Sequence, residues 1–275
     1  MNTKIVVDSS ASLYTLQGVD FECVPLKIIT DDAEYLDNGT MDALGMAQTL
    51  RTYKGKTSTS CPNVSDWLAA YEGADEVYAI TITGTLSGSY NAAQLAAEEY
   101  QQENPGKRVF VLDSLSTGPE QRLLAEHLRD LLAEGKEFDE ICEKAAAYRD
   151  RMNTYFVLES LDTLKKNGRL TGLQAFFATK LNIKPVMGAD NGTIIKLDQA
   201  RGIQKALQRM AEIAVKEAGT TKDKRLVIAH CNAPERAQSM KEKLCSMAEF
   251  KEVVITDTCG VSTVYANDGG VILAL

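Results

Sequence analysis

Residues 77–114 read VYAITITGTLSGSYNAAQLAAEEYQQENPGKRVFVLDS. Val77–Thr83 is a β-rich apolar run, and a Thr/Gly/Ser loop leads from it into a helical stretch over Ser87–Glu103. Asn104-Pro105-Gly106 then turns the chain into a second apolar run, Arg108–Leu112. The same rhythm holds on either side. Lys4–Val7 is a buried-strand pattern that ends at Asp8-Ser9-Ser10, and Phe21–Ile29 reads as a further strand. Helical spacing marks Asp42–Tyr53, where Leu44, Ala47, Leu50 and Arg51 recur over three turns. It marks Ser65–Tyr71, Gln121–Glu134 and Phe138–Arg151 as well. Strand, loop and helix in repeated succession imply a largely parallel sheet with helices on its faces.

The pattern changes after about residue 153. Tyr155–Leu158 is a strand, Leu161–Lys166 and Leu173–Leu181 are helical, and Ile183–Met187 and Thr193–Leu197 flank Asp190-Asn191-Gly192. Asn-Gly between apolar runs is a hairpin signal, and an antiparallel hairpin has no place in a purely parallel sheet. Gln204–Ala218 and Pro234–Met247 are helices; Arg225–Ala229, Val253–Asp257 and Gly270–Leu275 are strands. The reading is an α/β protein of two domains. Residues 1–153 form a mostly parallel sheet with flanking helices, and residues 154–275 form an α/β domain with a mixed sheet.

Bulk composition narrows the function. The chain has 275 residues, enough for two cores. Its 30 basic and 38 acidic residues leave a net charge of −8, which disfavours nucleic acid and anionic membrane surfaces as partners. No signal-peptide pattern opens the sequence and no apolar run is long enough to span a bilayer. Six scattered cysteines without a C-x-x-C pair, and only two histidines, argue against structural zinc and for free thiols in the cytoplasm.

Four hydroxyl-rich loops are candidates for chemistry: Asp8-Ser9-Ser10, Thr57–Pro62, Thr83–Ser89 and Asp113–Gly118. Three of them follow strands, where ligands collect in open α/β sheets. Hydroxyls and free amides at a helix start suit a carboxylate or a phosphate, and Gly84 and Gly88 allow close approach of the backbone. Capping explains any single loop. It does not explain four hydroxyls in a row from Thr57 to Ser60.

Catalysis finds less support. Gly84-Thr85-Leu86-Ser87-Gly88 is G-x-x-S-G rather than the G-x-S-x-G of a nucleophile elbow. His127 shares a helix face with Leu124, Leu128 and Leu131. His230 ends a strand with no acid evidently placed to orient it. A thiol or serine acyl-hydrolase using Cys61 or Ser87 with His230 is the rival reading, and a phosphate-ligand sensor built on the same loops is a third. No phosphate-binding or dinucleotide-binding glycine motif is present. Asp31, Asp32 and Asp37 lack the spacing of a calcium loop and read as a solvated turn. Arg169, directly after Asn167-Gly168, and Arg201, after a strand, are placed to project freely toward a phosphate or an acidic partner.

Asp8-Ser9-Ser10, Val24-Pro25-Leu26, Thr59-Ser60-Cys61-Pro62, Leu86-Ser87-Gly88-Ser89-Tyr90, Asp113-Ser114, Asn167-Gly168-Arg169-Leu170 and Ile183-Lys184-Pro185-Val186 occur in an order that resembles the DegV family along nearly the whole chain. The resemblance implies a cytoplasmic long-chain fatty acid carrier with no cofactor, no metal and no chemistry of its own. The acyl chain would lie between the domains. Thr59 and Ser87 would hold its carboxylate, with Ser60 and Gly88 beside them, and Phe176 and Phe177 would line the tail. Several family members present their fatty acid to a separate fatty acid kinase, and Arg169 and Arg201 match arginines linked to that partner or its phosphate. The sequence departs from the family near its end. Many members carry a G-x-H-x-G-P-G segment, and Ala266 stands here where its histidine would be, so no imidazole is available there to meet an anion.

Overall fold

The computed structural model describes residues 2–170 and 182–275; Phe176 and Phe177 lie outside them. The described chain runs β1 (Thr3–Asp8), β2 (Asp20–Val24), β3 (Lys27–Thr30), β4 (Glu34–Leu36), α1 (Ala43–Thr52), β5 (Thr57–Ser60), α2 (Val64–Tyr71), β6 (Glu76–Thr81), α3 (Ser89–Glu103), β7 (Arg108–Asp113), α4 (Pro119–Ala133) and α5 (Phe138–Arg149). It continues through β8 (Thr154–Val157), α6 (Asp162–Lys166), β9 (Ile183–Asp190), β10 (Thr193–Arg201), α7 (Ile203–Ala218), β11 (Arg225–His230), α8 (Pro234–Met247), β12 (Glu252–Asp257), α9 (Gly260–Ala266) and β13 (Val271–Ala274).

The first sheet has the order β2-β1-β6-β7 and is parallel throughout. Its central strands are buried on both faces, which is why β6 shows no polar alternation. The expected single strand Phe21–Ile29 is two strands in two sheets. Pro25 has no N–H to donate, the ladder stops there, and the Leu26 amide turns to the Ser9 hydroxyl at 3.0 Å. β3 then joins a small antiparallel sheet of order β4-β3-β5. The Thr57–Ser60 stretch, read as a loop, is therefore strand β5, with Ser60 opposite Lys27 and Thr57 opposite Thr30. Threonine is at ease on a pleated strand, and a run of four hydroxyls gives no apolar alternation by which to detect one.

The second sheet has the order β10-β9-β8-β13-β11-β12, with only β11 and β12 parallel. The Asn191-Gly192 turn makes the β9–β10 hairpin, and both residues have positive φ as such a turn requires. The two sheets share a core. Leu123, Leu124 and Leu128 of α4 pack with Ile5, Val7, Tyr78 and Ile80 of the first sheet and with Val227 and Ala274 of the second. Burial of these side chains contributes on the order of 2 kcal/mol apiece, and it holds the carboxyl edge of the first sheet against the second.

One smaller expectation fails. Asp37 is fully buried, not a solvated turn: it accepts from the Tyr14 hydroxyl at 2.5 Å and the Val261 amide at 2.9 Å. Loss of water raises its carboxyl above the usual range.

Candidate functional site: a cavity at the carboxyl edge of the parallel sheet

A cavity of about 280 Å³ lies between the two sheets, near the lower end of the roughly 300–1,000 Å³ of small-molecule sites. Leu26, Ile82, Leu86, Phe156, Leu158, Leu164, Ile194 and Ile272 give it hydrocarbon walls. Thr59, Ser60 and Cys61 enter from β5 and the residue after it, Ser87 and Gly88 from the turn before α3, and Arg169 from the segment after α6. Four of the expected ligand residues, Thr59, Ser60, Ser87 and Gly88, thus share one wall. Arg201 does not join them. It ends β10, is exposed, and borders a separate surface groove with Asn182 and Lys184.

Each loop is fixed before any ligand arrives. Asp8, at the end of β1, has no exposure. Its carboxyl accepts from the Ile82 amide at 2.8 Å, the Ser89 hydroxyl at 2.7 Å and the Gln121 amide at 3.0 Å, and it lies 2.5 Å from the Ser10 hydroxyl. Burial raises the Asp8 carboxyl above its ordinary value, and the four hydrogen bonds oppose that rise without cancelling it. The Asp8-Ser9-Ser10 loop is therefore a bracket for Ile82 and Ser89, the residues flanking the 83–88 loop, rather than a ligand contact. Gly88 is the N-cap of α3. A side chain there would press on the Cys61 sulfur, 3.2 Å from where its Cβ would sit, so glycine lets β5 and the start of α3 meet.

Beside them, Asn167 donates to the Thr57 carbonyl at 3.0 Å and pins the end of α6 to β5. Arg169 is half-buried. Its guanidinium donates to the Leu86 and Asn167 carbonyls and lies 6.0 Å from the centre of the Tyr265 ring. The Tyr265 hydroxyl is 2.8 Å from Thr59 Oγ1. Tyr265 and Ser262 of α9, which also line the cavity, escaped the sequence reading, where only Ala266 of this stretch was singled out; α9 lies some 200 residues from β5. Ala266 is buried in the same wall. Hydroxyls, a helix start and a guanidinium in a mostly apolar chamber are donors of the kind that can meet a buried anionic group.

The histidines stand apart from this donor set. His127 stacks on Tyr148 with ring centres 4.1 Å apart. His230 is buried outside the cavity wall. Its Nδ1 lies 3.4 Å from Asp257 and 3.3 Å from the Ala233 amide. An Nδ1 that accepts an N–H carries no proton for Asp257, and burial lowers the imidazole's pKa against the opposing charge of Asp257. Among the described residues, no histidine or carboxylate lines the chamber beside Cys61 or Ser87.

Residues 2–274 match the model of the DegV family, a family described as uncharacterised proteins. The chain is 36% identical to a DegV domain-containing protein of Streptococcus pneumoniae serotype 4, covering 99% of this chain and 98% of that one. It is 37% identical to one of Streptococcus pyogenes serotype M1, covering 99% of both. Among solved structures it is similar to a DegV family protein of Ruminococcus gnavus with vaccenic acid (38% identity, TM-score 0.94, 99% of both chains). It is also similar to the Streptococcus pneumoniae Fatty Acid Kinase (Fak) B3 protein loaded with linoleic acid (35%, TM-score 0.92, 100% of this chain and 99% of that). A Eubacterium eligens DegV protein loaded with heptadecanoic acid matches at 33% with a TM-score of 0.92, over 99% and 98% of the two chains. With a family match over nearly its whole length and relatives above 30% identity from end to end, the chain belongs to the DegV family.

Proposed function

We propose that the chain is a carrier for a long-chain fatty acid, with residues 1–153 and 154–275 as the two domains that enclose it. The observation that carries this reading is the division of polarity in the cavity: donors gather where β5, the start of α3 and Arg169 meet, and hydrocarbon covers most of the remaining wall. Thr59 and Ser87 hold the carboxylate, Ser60, Gly88 and Tyr265 complete its surroundings, and the acyl chain lies among Ile82, Phe156, Ile194 and Ile272. Burying a carboxylate is costly unless donors replace water. The tail gains about 0.8 kcal/mol per buried methylene, so it dominates affinity while the donors set orientation. The fatty acids in the solved relatives support this reading.

By likeness to the Fak B3 protein, the bound carboxylate is presented to a fatty acid kinase, with Arg169 facing the transferred phosphate. Ala266 supplies no imidazole for that step, which leaves the Tyr265 hydroxyl and Arg169 as the polar groups beside it. A cytoplasmic location fits the six free cysteines, and among the described residues no helix is long and apolar enough to cross a membrane.

The test is the double variant Thr59→Ala/Ser87→Ala, with lipid extracted from the purified protein. Folded protein without fatty acid is the expected result; undiminished stoichiometry of lipid overturns the assignment. His230→Ala separates the acyl-hydrolase reading: fatty acid content should be unchanged, and acyl-ester turnover that this variant abolishes would establish an enzyme.

A further inference from the structure

The cavity holds a second group of polar side chains that the carboxylate does not use. Loop residues 83–88 run between two ends. Gly88 meets Cys61 at one of them, and the Thr83 amide donates to the Ser116 carbonyl at 2.8 Å at the other. At this second end Ser116 and Thr154 are both in the cavity wall and both buried. Their hydroxyls are 2.7 Å apart, and Thr154 Oγ1 lies 2.5 Å from a carboxyl oxygen of Glu120. Glu120 is itself 4% exposed.

With Glu120 ionised, its carboxylate takes the one hydroxyl hydrogen of Thr154. The Ser116 hydrogen is then held by Thr154 or by Glu120, and Ser116 Oγ is left as an acceptor in the cavity wall. A buried row of hydroxyls ending in an open acceptor is costly against a plain hydrocarbon and favourable against an O–H donor.

Resting on the fatty acid reading above, we propose that Ser116, oriented by Thr154 and Glu120, is a subsite for a hydroxyl group carried part-way along an acyl chain, so that hydroxylated long-chain fatty acids are favoured ligands. The carboxylate anchors at Thr59 and Ser87, and the chain hydroxyl donates to Ser116 Oγ. The span between the two anchors is fixed by the 83–88 loop, so only hydroxyls within a narrow range of positions can reach.

The experiment uses full-length protein stripped of lipid. Dissociation constants are measured for octadecanoic acid and for a series of hydroxyoctadecanoic acids with the hydroxyl stepped along the chain. One or two neighbouring positions should bind about tenfold tighter than the plain acid, the worth of one well-made buried hydrogen bond. In Ser116→Ala that ratio should fall to about one; this variant leaves the Thr154–Glu120 hydrogen bond in place, so the buried carboxyl keeps its donor. If the wild type binds octadecanoic acid but gains nothing from a hydroxyl at any position, the subsite is overturned and the carrier reading stands. A preference that survives in Ser116→Ala also overturns it. If octadecanoic acid itself does not bind, the carrier reading fails, and this one with it.

Discussion

The hydroxyl of Tyr265 lies 2.8 Å from Thr59 Oγ1, joining helix α9 to strand β5 across 206 residues of sequence. Two hydroxyls so close share one hydrogen bond, which leaves one hydroxyl hydrogen for a ligand, the carboxylate in the proposed site. Tyr265→Phe keeps the ring against Arg169 and removes only the hydrogen bond. A loss of about 1 kcal/mol in fatty acid binding is expected, roughly a fivefold rise in Kd, with little change in melting temperature. An unchanged Kd would place the phenol outside the head-group site.

Asp8 satisfies donors from three separate segments while fully buried. Asp8→Ala leaves the Ile82 amide, the Ser89 hydroxyl and the Gln121 amide without an acceptor. The loss is put at about 3 kcal/mol or more of stability, since each stranded group costs roughly 1–3 kcal/mol. Urea denaturation measures it; a loss under about 1 kcal/mol would show that the bracket is dispensable.

Glu120 gives stability a pH dependence of definite sign. Burial pushes its carboxyl up to about 7, against hydrogen bonds from Thr154 and Ser116 and the charge of Arg149, whereas the unfolded chain titrates near 4.5. Between those values the folded protein holds a proton that the unfolded chain has released. Stability contributed by this group is therefore greatest below about pH 4.5, falls as pH rises to about 7, and is level above. At about 1.4 kcal/mol per unit the fall is on the order of 3 kcal/mol. Glu120→Gln retains an acceptor for Thr154 and removes the titration. Denaturation at about pH 5 and about pH 8 should show the wild type losing more stability than the variant between the two; equal losses would refute the account. Asp8 and Asp37 are raised in the same direction and remain in both proteins, so the difference isolates Glu120.

Gly192 closes the inner face of the cavity from the β9–β10 turn. Its φ is 79°, its carbonyl accepts from the Thr85 hydroxyl, and a methyl there would collide with Thr83 Oγ1. Gly192→Ala meets an unfavourable backbone and a clash at once. It should cost more than 1 kcal/mol and, by shifting Thr83, weaken acyl-chain binding. Asn191→Gly, in the same turn at a φ of 46°, is the contrasting variant: stability should hold and binding should be unaffected. If the two variants behave alike in lipid binding, contact between the turn and Thr83 is not what shapes the cavity.

Periodicity and turn chemistry are local, and they reached the α/β class, the long helices, the parallel strands β1, β6 and β7 and the Asn191-Gly192 hairpin from the sequence alone. Thr59, Ser60 and Ser87 stood out for the same reason, as an excess of hydroxyls near helix starts, and Gly88 as a point where the backbone can come close to a ligand. The break at Pro25 and the strand character of Thr57–Ser60 depend on which sheet each segment joins, and no window of sequence contains that partner. Tyr265 against Thr59, Asp37 buried under α9, and Thr154 between Ser116 and Glu120 are contacts between residues far apart in the chain. Arg169 and Arg201 looked alike as single residues, yet one lines the cavity and the other faces solvent. Side-chain chemistry supplied the donors for an anion; only packing of the second sheet against the carboxyl edge of the first decided which of them share one chamber, because burial and distance exist only once both sheets have closed around α4.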